Sequence, residues 1–553
     1  MEQKQMTPLQ RLIGLLQPDK REIKQIIFYA VFAGLVALSV PLGVQAIINL
    51  IQGAQISTSW IVLVVMVTLG VGFQGALQLM QIRILENVQQ KIFMRSSFEF
   101  AYRFPKIKMS ELRNYYPPEL ANRFFDTLTV QKSLPKLLLD FPAAILQIFF
   151  GITLLSFYHP FFILYGLLLI LLIYVVFKFT AERGLETSLQ ESKSKYKVAH
   201  WIQEVARSLV SFKLSGKTQL AMQSNDRLTT DYLKARESHF KVLFLQFMQM
   251  IGFKVLVTAG LLLVGGLLVL NQQMNIGQFV AAEIVILLVI ASVEKLVTGL
   301  ETVYDMLTSL EKIGQVVDKE LEPQSGLNPW DSQTDLLLEV ENLNFNTPQG
   351  RPLFSDVFLH IKHGDRILLQ GKSGSGKSTL LKLLSGLLEP SQGGVYVNNT
   401  SLQALRPNAY RMGIGQVLPE QLPFEGSILE NITFGNTEIG QERVFEVLRQ
   451  LELTEFIKEQ PKGIHTILYP EGQHIPTTIS KRILLARAII NNPCLLLLKE
   501  PLEHFEPAMA KQLAGYLTHP DRPWALVVSG GSPIWEKLCG QVYEIKDKRL
   551  IKK

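Results

Sequence analysis

A glycine-rich stretch carries the clearest chemical signal in this sequence. Residues 371–378 read Gly-Lys-Ser-Gly-Ser-Gly-Lys-Ser, which fits the pattern G-x-x-x-x-G-K-[ST]. Glycines allow the backbone to curl so that successive N–H groups point at phosphate oxygens. Lys377 can reach the outer phosphates of a nucleotide, and the Ser378 hydroxyl can take one position on Mg²⁺. The predicted nucleotide-binding residues are Gly371, Ser373, Gly374, Ser375, Gly376, Lys377, Ser378 and Thr379, with Ser378 as the metal ligand.

The residues on either side favour this function over the alternative, a surface turn rich in Ser and Gly. Residues 366–370 (Arg-Ile-Leu-Leu-Gln) predict a buried strand, and residues 379–384 (Thr-Leu-Leu-Lys-Leu-Leu) predict the start of a helix. A helix that begins directly after the loop adds its positive N-terminal end to the phosphate site. We therefore expect an α/β P-loop nucleotide-binding domain over residues 335–553.

The first 310 residues have a different character, because long apolar runs fill them. A bilayer-spanning helix needs about 20 mostly apolar residues. The whole chain is 48% hydrophobic and only 19% charged, which excludes a disordered or collagen-like protein, and its two cysteines exclude a disulfide framework. The sequence predicts an all-α transmembrane domain whose six spans lie near 26–48, 60–80, 137–158, 160–180, 247–270 and 276–298.

The basic residues are distributed unevenly between the two sides of these spans. Segment 81–136 contains 10 Lys and Arg and segment 178–245 contains 12, whereas the opposite loops 49–59, 158–160 and 271–275 contain none. Loops rich in Lys and Arg stay in the cytoplasm. We therefore expect a multi-pass protein of the inner or plasma membrane, with both termini and the nucleotide-binding domain cytoplasmic. Topology accounts for the net charge of +7, so no nucleic acid partner is expected.

Four segments follow from these patterns. Leu9, Leu12, Ile13 and Leu16 recur at helical spacing, which predicts an interfacial elbow helix within residues 1–20. The transmembrane domain with its cytoplasmic helical extensions is expected at 21–315, a linker at 316–334 and the nucleotide-binding domain from 335 onward. Fewer than 30 residues precede the first span, so an exporter that cleaves its peptide substrate is not expected.

The chain as a whole resembles the ATP-binding cassette (ABC) exporters. Residues 423–432 resemble the cassette segment that contacts the membrane domain in that family, and 482–488 and 494–498 resemble the helix after the family signature and the Walker B strand. The resemblance implies a half-transporter that uses ATP and Mg²⁺ and pairs as a homodimer or with a second half-transporter. A periplasmic adaptor is a further candidate partner. The residues that match the family's coupling segments are Pro117, Glu119, Arg123 and Glu204.

Several positions depart from the family pattern. The resemblance implies an aspartate that orients Mg²⁺ at position 499, but Lys499 stands there. We expect this ammonium to weaken Mg²⁺ binding, and either to pair with Glu500 or to contact a phosphate. Glu500 keeps the position of the catalytic glutamate. The other departures are Thr347 for the adenine-stacking aromatic, Pro419 for the Q-loop glutamine, 475–479 (Ile-Pro-Thr-Thr-Ile) for the LSGGQ signature, and Gly530 and Gly531 for the switch histidine.

Three functions remain open at this point. The first is an exporter half-transporter that binds ATP but hydrolyses it weakly, with an unknown substrate. The second is a pseudo-ABC subunit that does not hydrolyse ATP and acts as a scaffold or as the regulatory half of a heterodimeric or secretion complex. The third is a membrane-bound P-loop enzyme that transports nothing.

Three carboxylates on the last predicted span could face a translocation path. Glu283, Glu294 and Glu301 are 11 and 7 residues apart, so they lie near one line along a helix. One interpretation is an acidic stripe suited to a cationic or amphipathic substrate. The alternative places Glu294 and Glu301 in a cytosolic extension, which leaves Glu283 as the candidate pore residue.

Overall fold

A computed structural model describes residues 6–52, 58–330 and 336–553, and the side chains of 172, 175–177 and 179–181 lie outside it. Parts of the predicted loop 49–59 and linker 316–334, and the predicted boundary at 335, therefore fall outside the described residues. The chain forms two compact units. The membrane unit contains 1–106 and 115–319, and the cassette unit contains 107–114 and 320–553.

The described part of the membrane unit is helical. Its long helices continue well beyond the apolar runs, which confirms that the basic connections extend the membrane helices. The helices are α1 (Pro8–Leu16), α2 (Lys20–Ala37), α3 (Ser39–Gln52), α4 (Thr58–Arg103), α5 (Pro117–Ala121), α6 (Asp126–Pro135), α7 (Phe141–Tyr158), α8 (Phe161–Arg207), α9 (Leu209–Leu214), α10 (Leu220–Leu270) and α11 (Ile276–Val317).

Five helical stretches in the described residues are long and apolar enough to cross a membrane. They contain five of the six predicted spans and lie at Pro8–Gln52, Thr58–Lys106, Pro117–Tyr158, Leu220–Leu270 and Ile276–Val317. The remaining predicted span, 160–180, falls on α8, where several side chains lie outside the described ones. Its described apolar part is Phe161–Leu171.

The first predicted span is interrupted in the structure. Residues 26–48 belong to two helices, α2 and α3, that meet at Leu38. Pro41 has no N–H to donate and its ring crowds the preceding turn, so an unbroken helix is disfavoured at this place. The chain avoids the clash with the proline ring by forming a tighter turn between α2 and α3, in which Leu38 N–H donates to Leu35 O over 3.2 Å.

The elbow helix α1 is held on α11 by charge. Thr7 and Gln10 form a capping box at its start, in agreement with the predicted helix. The Arg11 guanidinium forms ion pairs with Glu311 and Asp318 of α11, and the Arg11 side chain is only 10% exposed. A Cβ atom on Gly314 would lie 2.4 Å from Arg11 Cζ, so this glycine leaves space for the guanidinium.

The cassette unit is an α/β structure. Its strands are β1 (Leu337–Asn346), β2 (Pro352–Lys362), β3 (Arg366–Gly371), β4 (Gln392–Val397), β5 (Thr400–Ser401), β6 (Ile414–Val417), β7 (Gly426–Ser427), β8 (Ile467–Leu468), β9 (Leu495–Lys499), β10 (Ala525–Ser529), β11 (Gln541–Lys546) and β12 (Arg549–Lys552). Its helices are α12 (Lys377–Leu384), α13 (Pro407–Met412), α14 (Ile428–Thr433), α15 (Gln441–Gln450), α16 (Thr454–Lys458), α17 (Thr477–Ile489), α18 (Pro507–Thr518) and α19 (Pro533–Leu538).

A six-stranded sheet forms the centre of the cassette unit. The strand order is β12-β11-β3-β10-β9-β6, and every neighbouring pair is parallel except β11–β12. Parallel strands covered on both faces read as continuous apolar runs, as in β9, whose Leu495 to Leu498 are fully buried. A second sheet of order β2-β1-β4-β5 packs its apolar face into a core shared with α12.

A short segment that is distant in sequence completes the cassette unit. Ile107 forms a β-bridge with Leu321 and is only 3% exposed. Lys108 N–H donates to Glu320 O over 3.0 Å, and Lys108 Nζ lies 2.5 Å from Glu320 Oε1. The range 21–315 predicted for the transmembrane domain includes residues 107–114, which in the structure belong to the cassette unit because these backbone contacts hold them there.

Candidate functional site

The carboxyl ends of three neighbouring parallel strands meet at one edge of the central sheet. Gly371 ends β3, Lys499 ends β9 and Ser529 ends β10. Ligands of open α/β sheets bind outside this edge. A cavity of about 740 Å³ opens here, lined by Leu353, Gln370, Gly371, Ser373, Gly374, Gly376, Lys377, Ser378, Thr379, Lys499, Glu500, Gly530, Gly531 and Glu544.

The predicted loop residues are brought together at this cavity, and all but Ser375 line it. Gly371 and Gly376 have backbone φ angles of +146° and +102°, which side chains disfavour. A Cβ atom on Gly376 would also lie 2.7 Å from Phe354 Cζ, and Phe354 is 1% exposed and fixed in the core. Glycine at 376 is therefore required by both conformation and space.

Lys377 is the first residue of α12 and points back over the loop. Its Nζ donates to Gly371 O over 2.7 Å and to Lys372 O over 2.9 Å. Burial lowers the pKa of Lys377, and the nearby Lys499 ammonium lowers it further. A bound anion would offset the repulsion between the two ammonium groups and compensate the loss of hydration of Lys377.

Hydroxyl groups complete the loop. Ser378 and Thr379 line the cavity at the start of α12. Within the described part of the chain, Ser375 Oγ is buried and has no hydrogen-bond partner. A buried polar group without a partner is costly, so this hydroxyl needs a partner that the described residues do not supply, although Ser375 itself does not line the cavity. The arrangement of glycines, serines and Lys377 suits the phosphates of a nucleotide.

Lys499 and Glu500 form an ion pair at the floor of the cavity. Lys499 Nζ donates to Glu500 Oε1, which confirms one of the two contacts expected for this lysine. The Lys499 side chain is 13% exposed, whereas that of Glu500 is 39% exposed. Glu500 has a φ angle of +45°, and its N–H donates to Ser529 O over 2.6 Å, so the backbone fixes this carboxylate beside the ammonium.

The residues at this edge do not suit a bound Mg²⁺ ion. Magnesium prefers carboxylate and other oxygen ligands in a near-octahedral arrangement. The predicted metal ligand Ser378 supplies one neutral hydroxyl, and the Glu500 carboxylate is already paired with Lys499. Two unit charges 4 Å apart interact by about 4 kcal/mol at an effective dielectric constant of about 20. A divalent cation at that distance from Lys499 would meet about twice this repulsion.

The positions expected to hold the sensor residues offer no side-chain hydrogen-bonding group to the cavity. Pro419 has no side-chain donor, and the nearby Gln421 uses its Oε1 to accept Leu418 N–H over 2.9 Å. Gly530 and Gly531 occupy the place after β10, and the described residues that line the cavity include no histidine. Thr347 lies in a turn, where its N–H donates to Arg351 O over 2.8 Å.

The segment at 475–479 begins a helix with bulky residues. Pro476 is the residue before α17, and its side chain forms no cap hydrogen bond. Pro476 and Thr477 are exposed at this helix start. Proline has no N–H, so one backbone donor is removed at this helix start. Branched residues follow at Thr477, Thr478 and Ile479.

The predicted coupling residues lie in the membrane unit. Pro117 opens the short helix α5, and Glu119 accepts from Arg123 over 3.2 Å and lies 3.1 Å from His200 Nδ1. The Arg123 guanidinium also stacks on Tyr196, at 3.7 Å from the ring centre. Glu204 pairs with Arg207 over 2.5 Å and also interacts electrostatically with His200. Glu119, Arg123 and Glu204 are therefore connected through His200, and Pro117 begins the helix that carries Glu119.

The acidic positions on α11 have different surroundings. Glu294 Oε2 lies 2.5 Å from Lys254 Nζ, and Glu301 Oε1 lies 3.7 Å from Arg236. Both cations belong to α10. The ion pairs between α10 and α11 therefore explain the presence of Glu294 and Glu301 without a role in translocation. Glu283 is partly buried on α11 and stays the candidate pore residue.

The sequence did not indicate some cavity residues. Glu544 on β11 lines the cavity and lies 3.1 Å from Lys553 Nζ. Leu353 and Gln370 also line it. Glu544 reaches the cavity because β11 pairs with β3, and this strand order cannot be predicted from a short segment of sequence. Of these three residues, only Gln370 could have been predicted from its position, because it directly precedes the phosphate loop.

Comparison with protein families gives two matches that together cover most of the chain. Residues 25–293 match the family described as ABC transporter transmembrane region. Residues 354–503 match the family described as ABC transporter.

Curated relatives match over part of their length. An alpha-hemolysin translocation ATP-binding protein of Escherichia coli O157:H7 is 32% identical over 46% of this chain and 36% of its own length. A leukotoxin translocation ATP-binding protein of Mannheimia glucosida is 32% identical over 43% and 33%. A putative export ATP-binding/permease protein of Rickettsia bellii is 26% identical over 60% and 55%. The matches thus span about a third to about a half of these relatives.

A solved structure shows the same fold over nearly the whole chain. The chain superposes on a bacterial Atm1-family ABC exporter with ATP bound, with a TM-score of 0.85 and 14% sequence identity. This match covers 96% of this chain and 94% of the exporter chain. With a helical membrane unit, an α/β unit that carries a phosphate loop, and family matches in both, the chain belongs to the ABC transporter family and is a half-transporter with the ABC exporter fold.

Proposed function

We propose that this chain is an exporter half-transporter whose cassette binds ATP and hydrolyses it very slowly. The observation that carries the proposal is the Lys499–Glu500 ion pair in the phosphate-loop cavity. The loop with Lys377 supplies what binding of the triphosphate needs. The carboxylate that would act on water is instead paired with an ammonium.

Slow hydrolysis follows from the way in which phosphoryl transfer is catalysed. Positioning of the water and stabilisation of charge supply nearly all of the rate enhancement. Pro419, Gly530 and Gly531 offer no side-chain group for either task. The Glu500 Oε1 atom already accepts a hydrogen bond from Lys499 Nζ, so this oxygen is occupied and does not orient a water molecule.

A dimer is the expected working unit, as in the family. The signature of one cassette completes the site of the other in this arrangement. Pro476 and the branched residues after it disfavour such a contact, so a homodimer would have two impaired sites. A heterodimer with an intact second half-transporter would also be impaired at both sites, one through Lys499 and the other through Pro476.

Export is the transport function that the relatives support. Two relatives are named for translocation of alpha-hemolysin and leukotoxin. The distribution of Lys and Arg among the connecting segments supports a cytoplasmic location of both termini and the cassette. A periplasmic adaptor is the candidate accessory partner in this proposal. The alternative function is a non-hydrolysing subunit, a scaffold or the regulatory half of a complex, which the bulky residues at 475–479 favour.

ATP turnover by the reconstituted full chain tests this proposal. We expect a rate far below about 1 per second, within a few-fold of the background measured with Lys377→Ala, because no described group in the cavity positions the attacking water. Phosphate release in proteoliposomes gives the rate. A rate of several per second that disappears in Glu500→Gln would contradict the proposal. Transport of a substrate with such a slow rate, only in the presence of a second half-transporter, would favour the regulatory function.

A further inference from the structure

The carboxylates that line the cavity are paired with lysines, whereas the carboxylates of a metal site contact the metal ion. Two carboxylates are among the described lining residues of the cavity, and each faces a lysine. Glu500 bonds Lys499, and Glu544 lies 3.1 Å from Lys553 Nζ. A cation at either carboxylate would therefore compete with a lysine ammonium that is already bound there. The remaining side-chain oxygens are Gln370 and hydroxyls, which are neutral and weak ligands for Mg²⁺ without a carboxylate.

The two lysines that line the cavity, Lys377 and Lys499, differ in how far nearby carboxylates compensate their charge. Lys377 Nζ donates to the carbonyls of Gly371 and Lys372, which are neutral partners. Lys499 is mostly buried, and one carboxylate compensates its charge. Glu500 is paired with Lys499 and Glu544 with Lys553, so Lys377 is the lysine of the cavity lining that has no carboxylate in an ion pair with it among the described residues, and its positive charge is available to an entering anion.

The backbone fixes Lys499 at this place. Lys499 is the last residue of β9, a strand that pairs with β6 and β10, and it lies opposite Ser529 in the ladder with β10. An ammonium has three N–H donors, and Glu500 Oε1 takes one of them. Two donors are left for oxygens of a triphosphate. In this arrangement Glu500 is a positioning residue for the ammonium.

We propose that Lys499 takes the place of the divalent cation, so that the cavity binds a nucleoside triphosphate as its metal-free anion. This inference rests on the proposed function, because it assumes that the phosphate loop binds a triphosphate at all. The ammonium contributes one positive charge and directed hydrogen bonds where an exporter cassette would use Mg²⁺. A magnesium ion brought in with the nucleotide would meet the repulsion of Lys499 and find no carboxylate to hold it.

The test is the effect of Mg²⁺ on ATP affinity in the purified full chain. Displacement of a fluorescent ATP analogue by ATP gives Kd in EDTA and in excess Mg²⁺. For the wild type we expect Kd in EDTA to be equal to or lower than Kd in Mg²⁺. For Lys499→Asp we expect the preference to reverse, with binding in EDTA weaker than in Mg²⁺ by about tenfold or more. Lys511→Asp is the matched control, since Lys511 is exposed on α18 and does not line the cavity, and it should keep the wild-type ratio.

A second readout follows the metal itself. With ATP present, Mn²⁺ electron paramagnetic resonance should detect no metal held by the wild type and about one ion per chain in Lys499→Asp. Wild-type binding that is lost in EDTA and restored by Mg²⁺ would overturn this inference and leave the proposed function intact. Absence of binding in both conditions would instead overturn the proposed function. The wild-type comparison needs no variant, so it decides the question even if Lys499→Asp does not fold.

Discussion

Lys377→Ala should lose nearly all nucleotide affinity. Lys377 is the cavity lysine without a carboxylate partner among the described residues, and its carbonyl partners do not neutralise it. A hydrogen bond to a charged group contributes up to about 3 kcal/mol. Loss of one such contact corresponds to an increase in Kd of up to about 100-fold. Equilibrium binding of ATP to the full chain, by calorimetry or by displacement of a fluorescent analogue, measures the effect.

Lys382→Ala provides the matched control for this change. Lys382 belongs to the same helix α12, but its Nζ lies 2.5 Å from Glu420 and it does not line the cavity. We expect its Kd to stay within about twofold of the wild type, since it removes only an ion pair with a largely exposed carboxylate. Equal losses in both variants would show that α12, and not the phosphate contact, is responsible.

Gly376→Ala should impair both folding and binding, and much more than Gly374→Ala. Both glycines have positive φ angles, +102° and +79°, so both substitutions introduce backbone strain of about 1–2 kcal/mol. Only at Gly376 does the new Cβ atom meet the buried Phe354 ring, whereas nothing lies within 4 Å of the Cβ position at Gly374. Overpacking adds about 1–3 kcal/mol. The total lowers the stability of the folded state. Where the loop shifts to relieve it, restoring the binding conformation costs the same free energy, which corresponds to a loss of affinity of about 30-fold or more.

Thermal unfolding and ATP binding, measured on both variants, separate the two contributions. Gly374→Ala reports the conformational strain alone, and the difference between the variants reports the contact with Phe354. Replacing the ring by a smaller side chain in Gly376→Ala/Phe354→Leu should recover part of the loss. Identical behaviour of the two single variants would mean that Phe354 is free to move away, contrary to its burial of 99% in this core.

Local patterns in the sequence were sufficient for the elements that build the site. The loop at 371–378 was predictable because glycines at the strained positions and a lysine at the helix start fix its conformation within a few residues. The contact between Lys499 and Glu500 was one of two that the sequence predicted for this lysine. It could be predicted because the two residues are adjacent in the chain. Apolar runs of span length predicted the membrane helices for the same reason.

Features that depend on distant parts of the chain were not predictable. Glu544 reaches the cavity because β11 pairs with β3, a choice that no short segment encodes. Two local features were not predicted either. Pro41 disfavours an unbroken helix, but the sequence does not specify whether the helix bends or starts again, as it does after Leu38. Gln421 turned to its own loop backbone at Leu418, which depends on the local geometry of that loop.

The contribution of residues 107–114 to the cassette unit bears on how this half of the protein can be produced separately. A fragment cut at residue 320 would lose the partner strand of Leu321 and expose the surface that Ile107 covers. A cut at residue 320 follows the boundary between the two units along the chain, but it still removes residues 107–114, which belong to the cassette unit. An autonomous cassette should therefore need these eight residues added back, fused ahead of residue 320 or supplied as a synthetic peptide.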